Sequence, residues 1–368
     1  MQQQQSYTVE HGFNPSSIQR NMNSTSIQEP QQNHKKLARA MTLLLIIALL
    51  LVIALAISVT VLFTIGLQAT QSSKNSNTTF STPNNLFRSS LSEPCTCGCP
   101  SIEPTFNDEK KVIAARIING QTARAHSWPW QLFLVVQDSS TDLWHTCGAT
   151  MLTQRHFLTA AHCVHGGLPP NIFLLSGRHV RMINTSMADI HIVKNVYIHE
   201  GFNIFGHNDL AIVTSEEPLR FDSYVSPICL DSPNSPLLQP DEELVVIGWG
   251  AIHGEPENLR FPDSLQQVKV AYVPTSNPNC SKIFGSNVAL HPGQMCAGIP
   301  GHNACRGDSG GPLMRRKRLV NTETNYYWEQ VGVASLSKDC GWNSTWPDIY
   351  TSVSYYHDWI VATVKRAI

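Results

Sequence analysis

Between Met41 and Leu67 the chain runs 27 residues without one charged side chain. Nothing else in the sequence restricts the molecule so strongly. As a helix rising about 1.5 Å per residue, the run reaches about 40 Å, enough to cross a hydrocarbon layer of about 30 Å with some tilt. A buried core helix would carry a polar stripe, and this segment shows none. A cleaved signal peptide has a shorter apolar region that starts nearer the N-terminus. The sequence therefore predicts a single transmembrane helix, a signal anchor, over residues 41–67. Lys35, Lys36 and Arg39 crowd its N-terminal flank, whereas the other flank stays uncharged until Lys74. Positive charge stays cytoplasmic, so the tail is expected inside the cell and the remainder outside.

The segments on either side follow from composition. Residues 1–40 are rich in Gln, Asn and Ser and cannot bury enough apolar surface to offset the entropy of ordering, so a disordered cytoplasmic tail is expected. Residues 68–116 are rich in Ser, Thr, Asn and Pro and suit an extracellular stalk ending in an activation segment. Glycan acceptor triplets begin at Asn77, Asn184 and Asn343. Apart from the cluster Cys95-Thr96-Cys97-Gly98-Cys99 the ten cysteines are widely spaced, with no Cys-x-x-Cys pair, which favours disulfides over structural zinc and agrees with an oxidising compartment. A net charge of -1 gives no general pull toward nucleic acid.

Beyond Arg116 the texture changes. Short apolar runs, among them Trp130–Val136, Phe157–Ala161, Ile172–Leu175, Asp209–Val213, Leu244–Ile247 and Val331–Leu336, alternate with Gly, Pro and Asn turns. That spacing predicts an all-β sandwich or barrel. From Val353 to Val364 the apolar residues recur at helical intervals and predict a closing helix.

Three short motifs carry the chemistry. Gly307-Asp308-Ser309-Gly310-Gly311-Pro312 holds a serine between glycines, which leave its oxygen exposed and let neighbouring N–H groups converge on a substrate carbonyl. A serine hydroxyl is a poor nucleophile until a base takes its proton and a third group orients that base. His162, in Thr159-Ala160-Ala161-His162-Cys163, is the candidate base, and Asp209, in Asn208-Asp209-Leu210-Ala211-Ile212, the candidate orienter.

These motifs, in the order His, Asp, Ser, resemble those of the chymotrypsin-like (trypsin-like) serine proteases, from Ile117 to about Ile368. With an anchor and stalk ahead of them, the whole chain resembles a type II transmembrane serine protease. The resemblance implies two six-stranded antiparallel β-barrels, a C-terminal helix and an active site in the cleft between the barrels. It implies His162 as general base, Asp209 as keeper of its tautomer, Ser309 as nucleophile, and the N–H groups of Gly307 and Ser309 as the oxyanion hole. No cofactor or metal is expected, since the stretch around Arg178 to Asp189 lacks a cluster of acids.

The same resemblance marks Arg116-Ile117-Ile118-Asn119-Gly120 as an activation site. Cleavage after Arg116 by another trypsin-like protease would free the Ile117 amine to pair with buried Asp308. It also implies disulfides Cys147–Cys163, Cys280–Cys296 and Cys305–Cys340, leaving Cys229 for one of Cys95, Cys97 and Cys99. The two stalk cysteines then left over would pair with each other or with a second chain as a disulfide-linked dimer.

The primary pocket departs from the trypsin pattern. Asn303 stands where trypsin-like members carry an aspartate, and Asp348 where a glycine is usual. Ser335 would line the pocket, Leu336 replaces a usual tryptophan, and Ser337, aligned with a wall glycine, narrows the entrance. Asp348 either selects basic side chains or hydrogen-bonds Asn303, leaving a polar pocket of broad preference. Arg315-Arg316-Lys317-Arg318 reads as a solvated hairpin, a patch for acidic partners or a processing site. The expected activity is a membrane-anchored, zymogen-activated serine endopeptidase acting on protein or peptide substrates, with shedding from the stalk open to it. The alternative is a catalytically inactive protease-like binding or adhesion module.

Overall fold

The computed structural model describes residues 95–106, 120–181, 189–203, 205–252, 259–283, 285, 290–318, 326–338 and 344–367. The tail, the 41–67 run, most of the stalk, Arg116, Ile117, Asn77, Asn184, Asn343 and Cys340 lie outside these residues. No described helix is long and apolar enough to cross a membrane.

Fourteen described strands and three short helices follow in order. The strands β1 (Gln121–Thr122), β2 (Gln131–Asp138), β3 (Trp144–Met151) and β4 (His156–Thr159) lead into helix α1 (Ala161–Val164). Next come β5 (Gly167–Leu175), β6 (Ile190–Ile198), β7 (Ala211–Ser215), β8 (Cys229–Leu230), β9 (Glu243–Gly248) and β10 (Gln266–Val273). Helix α2 (Pro278–Ser281) precedes β11 (Gln294–Ala297), β12 (Pro312–Arg318), β13 (Tyr326–Leu336) and β14 (Asp348–Ser352), and α3 (His357–Arg366) closes the domain.

The strands form two closed six-stranded antiparallel barrels. The first runs β2-β3-β4-β7-β6-β5 and closes on itself. The second runs β9-β10-β11-β14-β13-β12 and returns to β9, with β1 beside β10 and β8 parallel to β13. Closure leaves few sheet edges unpaired, and side chains from the strands fill each interior. Trp130, Leu132, Leu134, Phe157, Leu158 and Ile172 are buried in one core, and Leu244, Val246, Val331 and Tyr350 in another. The Trp130 indole N–H lies 3.1 Å from the Met314 sulfur, so the first core runs on into the second barrel.

Two expectations shift. The closing helix begins at His357 rather than Val353. Val353 is buried and its N–H donates to the Val331 carbonyl, so the backbone there still follows the sheet. The basic run is not a solvated patch throughout. Arg315 is only 4% exposed and pairs with Asp231 (2.9 Å), Glu329 (2.5 Å) and Glu242 (3.8 Å), while Arg316 and Arg318 stand over the Tyr326 ring. Burial lowers the guanidinium's pKa, but the carboxylates around it outweigh that and hold it up.

Disulfides join Cys147–Cys163, Cys280–Cys296 and Cys97–Cys229. Cys305 is also disulfide-bonded, and its expected partner Cys340 lies outside the described residues. Cys95 pairs with Cys99, which leaves no stalk thiol to link a second chain and removes the basis for a disulfide-linked dimer. The segment Cys95–Phe106, expected as stalk, is docked on the second barrel. Trp328 N–H donates to the Gly98 carbonyl, Gly98 N–H to the Pro227 carbonyl and the Gln267 side chain to the Thr105 carbonyl.

Candidate active site

The first barrel's pairing brings two of the three motifs together. Thr159 at the end of β4 faces Ala211 at the start of β7. His162 lies three residues past the first and Asp209 two before the second, so antiparallel register alone makes them neighbours. The Asp209 carboxylate accepts His162 Nδ1–H at 2.7 Å through Oδ2 and the His162 backbone N–H at 2.9 Å through Oδ1. Ser335 Oγ donates to Oδ2 at 2.6 Å, and Thr351 Oγ1 to the Asp209 carbonyl at 2.8 Å.

That network sets the charges. Burial alone would lower the His162 pKa, but the Asp209 charge and its hydrogen bond outweigh it, and the imidazole rises above 6.5. Burial would raise Asp209, yet the His162 charge and the bonds from His162 and Ser335 hold it below its ordinary value. With Nδ1–H committed to the carboxylate, the neutral ring carries its free lone pair on Nε2. The Cys147–Cys163 disulfide packs alongside, with Cys163 Sγ 3.7 Å from Nε2. Cys147, His162 and Cys163 are the one close trio of metal-type donors among the described residues, but the two sulfurs are bonded to each other and offer no thiolate.

The third motif enters from the second barrel. Gly310 N–H donates to the Ala334 carbonyl, Ala334 N–H to the Gly311 carbonyl, and the Ser309 carbonyl accepts Gly148 N–H at 2.8 Å. Gly310 (φ 78°) lies against Thr159 and 3.1 Å, measured from where a Cβ would stand, from the Ala160 nitrogen. Only glycine allows that dihedral and that approach, and the approach carries Ser309 to the segment that bears His162. Gly307 (φ 97°) turns the chain before it. The N–H groups of Asp308 and Gly310 are spent on Cys305 and Ala334 carbonyls, whereas those of Gly307 and Ser309 donate to no acceptor among the described residues.

Asp308 itself points inward. It is 1% exposed, its carboxylate accepts Gly250 N–H at 2.7 Å and Cys305 N–H at 2.9 Å, and burial pushes its pKa up to about 6. No cation pairs with it among the described residues.

The expected pocket residues also come together, in an unexpected way. Asp348 does not face outward as a free carboxylate. Its Oδ2 accepts Ala304 N–H at 2.6 Å and its Oδ1 accepts Asn303 Nδ2 at 3.3 Å, while Asn303 Nδ2 also donates to the Trp346 carbonyl at 2.8 Å. Burial pushes Asp348 up to about 7, against the hydrogen bonds that would lower it. Ser337 Oγ donates to the Ala304 carbonyl at 3.2 Å, and Leu336 packs on Gly206.

Thr351 and His145, whose Nε2–H donates to the Cys163 carbonyl at 2.8 Å, brace the site without any local signal in the sequence. Each supports a residue far along the chain, so only the pairing of strands reveals it.

Comparison with known proteins places this arrangement. Residues 117–360 match the family model described as Trypsin. The chain is 33% identical over 250 residues to "Transmembrane protease serine 11C" of Mus musculus, covering 67% of this chain and 53% of that protein. It is 34% identical over 250 residues to "Transmembrane protease serine 11G" of Rattus norvegicus, covering 67% of this chain and 55% of that protein. It is also 31% identical over 281 residues to "Chymotrypsin-C" of Bos taurus, covering 75% of this chain and 96% of that protein. The chain thus spans about half the length of the transmembrane relatives it matches and nearly all of chymotrypsin-C.

Proposed function

The chain belongs to the trypsin family of serine endopeptidases, and on that premise we propose that it is a membrane-anchored endopeptidase made as a zymogen. The observation that carries the reading is the His162 Nδ1–Asp209 bond of 2.7 Å beside a serine loop whose two flanking N–H groups are unspent. Ser309 Oγ attacks the scissile carbonyl carbon while His162 Nε2 takes the hydroxyl proton. The carbonyl oxygen gains negative charge and is met by the Gly307 and Ser309 N–H groups. Collapse breaks the C–N bond, His162 returns its proton to the departing amine, and an acyl-enzyme ester remains. Water, deprotonated by the same imidazole, then releases the acid and restores the serine.

Activation rests on Asp308. A carboxylate buried this deeply, with only two N–H partners, suits a buried cation, and an α-amine with a reference pKa near 8 would supply one at neutral pH. Cleavage after Arg116 would provide it from Ile117, and the uncleaved chain is accordingly read as nearly inert. The anchor reading is supported by the uncharged 41–67 run and by relatives named as transmembrane proteases. It puts the catalytic domain outside the cell, glycans on Asn77, Asn184 and Asn343, and release by shedding within reach.

The test is fluorophosphonate labelling of full-length protein in membranes, before and after cleavage at Arg116. Labelling of Ser309 that depends on cleavage, is lost in Ser309→Ala and is accompanied by peptide hydrolysis is expected. An Arg116→Gln chain with full activity would overturn the zymogen reading, and cleaved protein that never labels would leave only a binding module.

A further inference from the structure

We propose that this chain cleaves after small uncharged residues such as alanine, serine and valine, because Ser337 and the Asn303–Asp348 pair close the primary pocket instead of selecting lysine or arginine. The inference rests on the endopeptidase reading above and names its substrate class.

The family resemblance sets two chain segments as the walls, Asn303 to Ser309 on one side and Ser335 to Ser337 on the other. The Ser337 hydroxyl bridges them, donating to the Ala304 carbonyl at 3.2 Å. Behind it, Asn303 is 0% and Asp348 1% exposed, so neither floor residue offers surface to an incoming side chain.

The floor is also committed internally. Both Asn303 amide hydrogens are used, on the Trp346 carbonyl and on Asp348. Turning the amide over would set its oxygen against a carbonyl and a carboxylate, so its orientation follows from its partners. Asp348 therefore has both oxygens engaged within the chain, Oδ2 on Ala304 N–H and Oδ1 on Asn303.

A lysine or arginine would have to displace the Ser337 hydroxyl and then meet a carboxylate that holds its proton until about pH 7. Nearby Asp308 adds to that tendency, and buried Tyr350 supplies no positive charge. A large apolar side chain meets the same closure. A methyl, hydroxymethyl or isopropyl group stops above Ser337 and disturbs none of this.

The experiment measures kcat/KM of the cleaved, membrane-bound full chain on peptides that differ only at the residue before the scissile bond. Rates are normalised to Ser309 sites labelled by a fluorophosphonate. Alanine, serine and valine peptides are expected to exceed arginine, lysine and phenylalanine peptides by about 10-fold or more, the discrimination a misfitting wall provides. Ser337→Gly removes both the hydroxyl and the Cβ, and should move the arginine-to-alanine ratio upward by about 10-fold or more. Binding of benzamidinium, a rigid cation with an arginine-like head, gives a readout without turnover: the parent should not bind it and Ser337→Gly should. Preference for arginine, lysine or phenylalanine in labelled parent protein overturns the pocket inference alone. So does tight benzamidinium binding by the parent, or a ratio unmoved in Ser337→Gly. Failure to label Ser309 overturns the endopeptidase reading instead, and the benzamidinium arm still decides the pocket.

Discussion

Replacing Asp209 with asparagine tests how the candidate triad is held. The carboxylate serves three donors: His162 N–H on Oδ1, and His162 Nδ1–H and Ser335 Oγ–H on Oδ2. An asparagine has one oxygen and one NH2, and the backbone N–H of His162 cannot turn into an acceptor, so the oxygen must face it. The NH2 group then faces Nδ1 and Ser335. Ser335 can rotate its hydroxyl to accept, and the imidazole can satisfy the NH2 only by carrying its proton on Nε2. That tautomer has no lone pair for the Ser309 proton. The expected loss is about 10⁴-fold in kcat, the size of this tautomer effect in the family's template, or about 5.4 kcal/mol of transition-state stabilisation. Stability should change less than in an alanine variant, because the His162 backbone N–H keeps its acceptor and only the Ser335 hydroxyl hydrogen loses one. Asp209→Ala differs in the opposite sense, leaving donors buried at about 1–3 kcal/mol each. Peptide hydrolysis and thermal melting of the two variants separate these effects. An asparagine variant within about 10-fold of the parent's rate would refute the tautomer argument, as would one that melts as early as the alanine variant.

Protonated His162 cannot act as base, so kcat/KM should fall as pH falls, along a limb centred above the ordinary imidazole value of 6.5; a midpoint below that value counts against the Asp209 charge as the controlling influence. Folded Asp348 keeps its proton to about 7 against an ordinary 3.8. Between those values the folded state binds more protons than the unfolded, so stability declines as pH rises, by about 4 kcal/mol at about 1.36 kcal/mol per pH unit. In Asp348→Asn the Asp348 share of that decline should be lost from denaturant titrations, leaving the smaller decline up to about 6 that Asp308 carries, and an unchanged slope would refute the assignment to Asp348. Arg315→Leu leaves the buried Asp231 carboxylate without its cation and Glu329 with Lys317 alone, and should cost about 3–5 kcal/mol by urea unfolding, whereas a merely solvated cation would cost less than about 1 kcal/mol.

The strands were legible because barrel interiors demand continuous or alternating apolar runs: Trp130–Val136, Ile172–Leu175, Leu244–Ile247 and Val331–Leu336 all fall within or across β2, β5, β9 and β13. The start of α3 was not, since Val353 has the right spacing for a helix but is claimed by Val331 across the sheet. Arg315 was read with its basic neighbours because alternation along β12, which turns it inward toward acids from β13 and two loops, depends on register. Cys95, Cys97 and Cys99 are equivalent in the sequence, and the docking of Gly98 between Trp328 and Pro227 selects Cys97 for Cys229.

Local chemistry is legible in the chain alone: which serine, histidine and aspartate are candidates for nucleophilic catalysis, which segment carries no charge, and that the cysteines favour disulfides. Such properties reside in a few consecutive residues and survive without a fold. Whether Asp348 meets a substrate or is taken up by Asn303 and Ala304, and whether Arg315 meets water or three carboxylates, was decided only when distant strands paired. Burial and hydrogen-bond partners, which set the charge and reach of those groups, exist only in three dimensions.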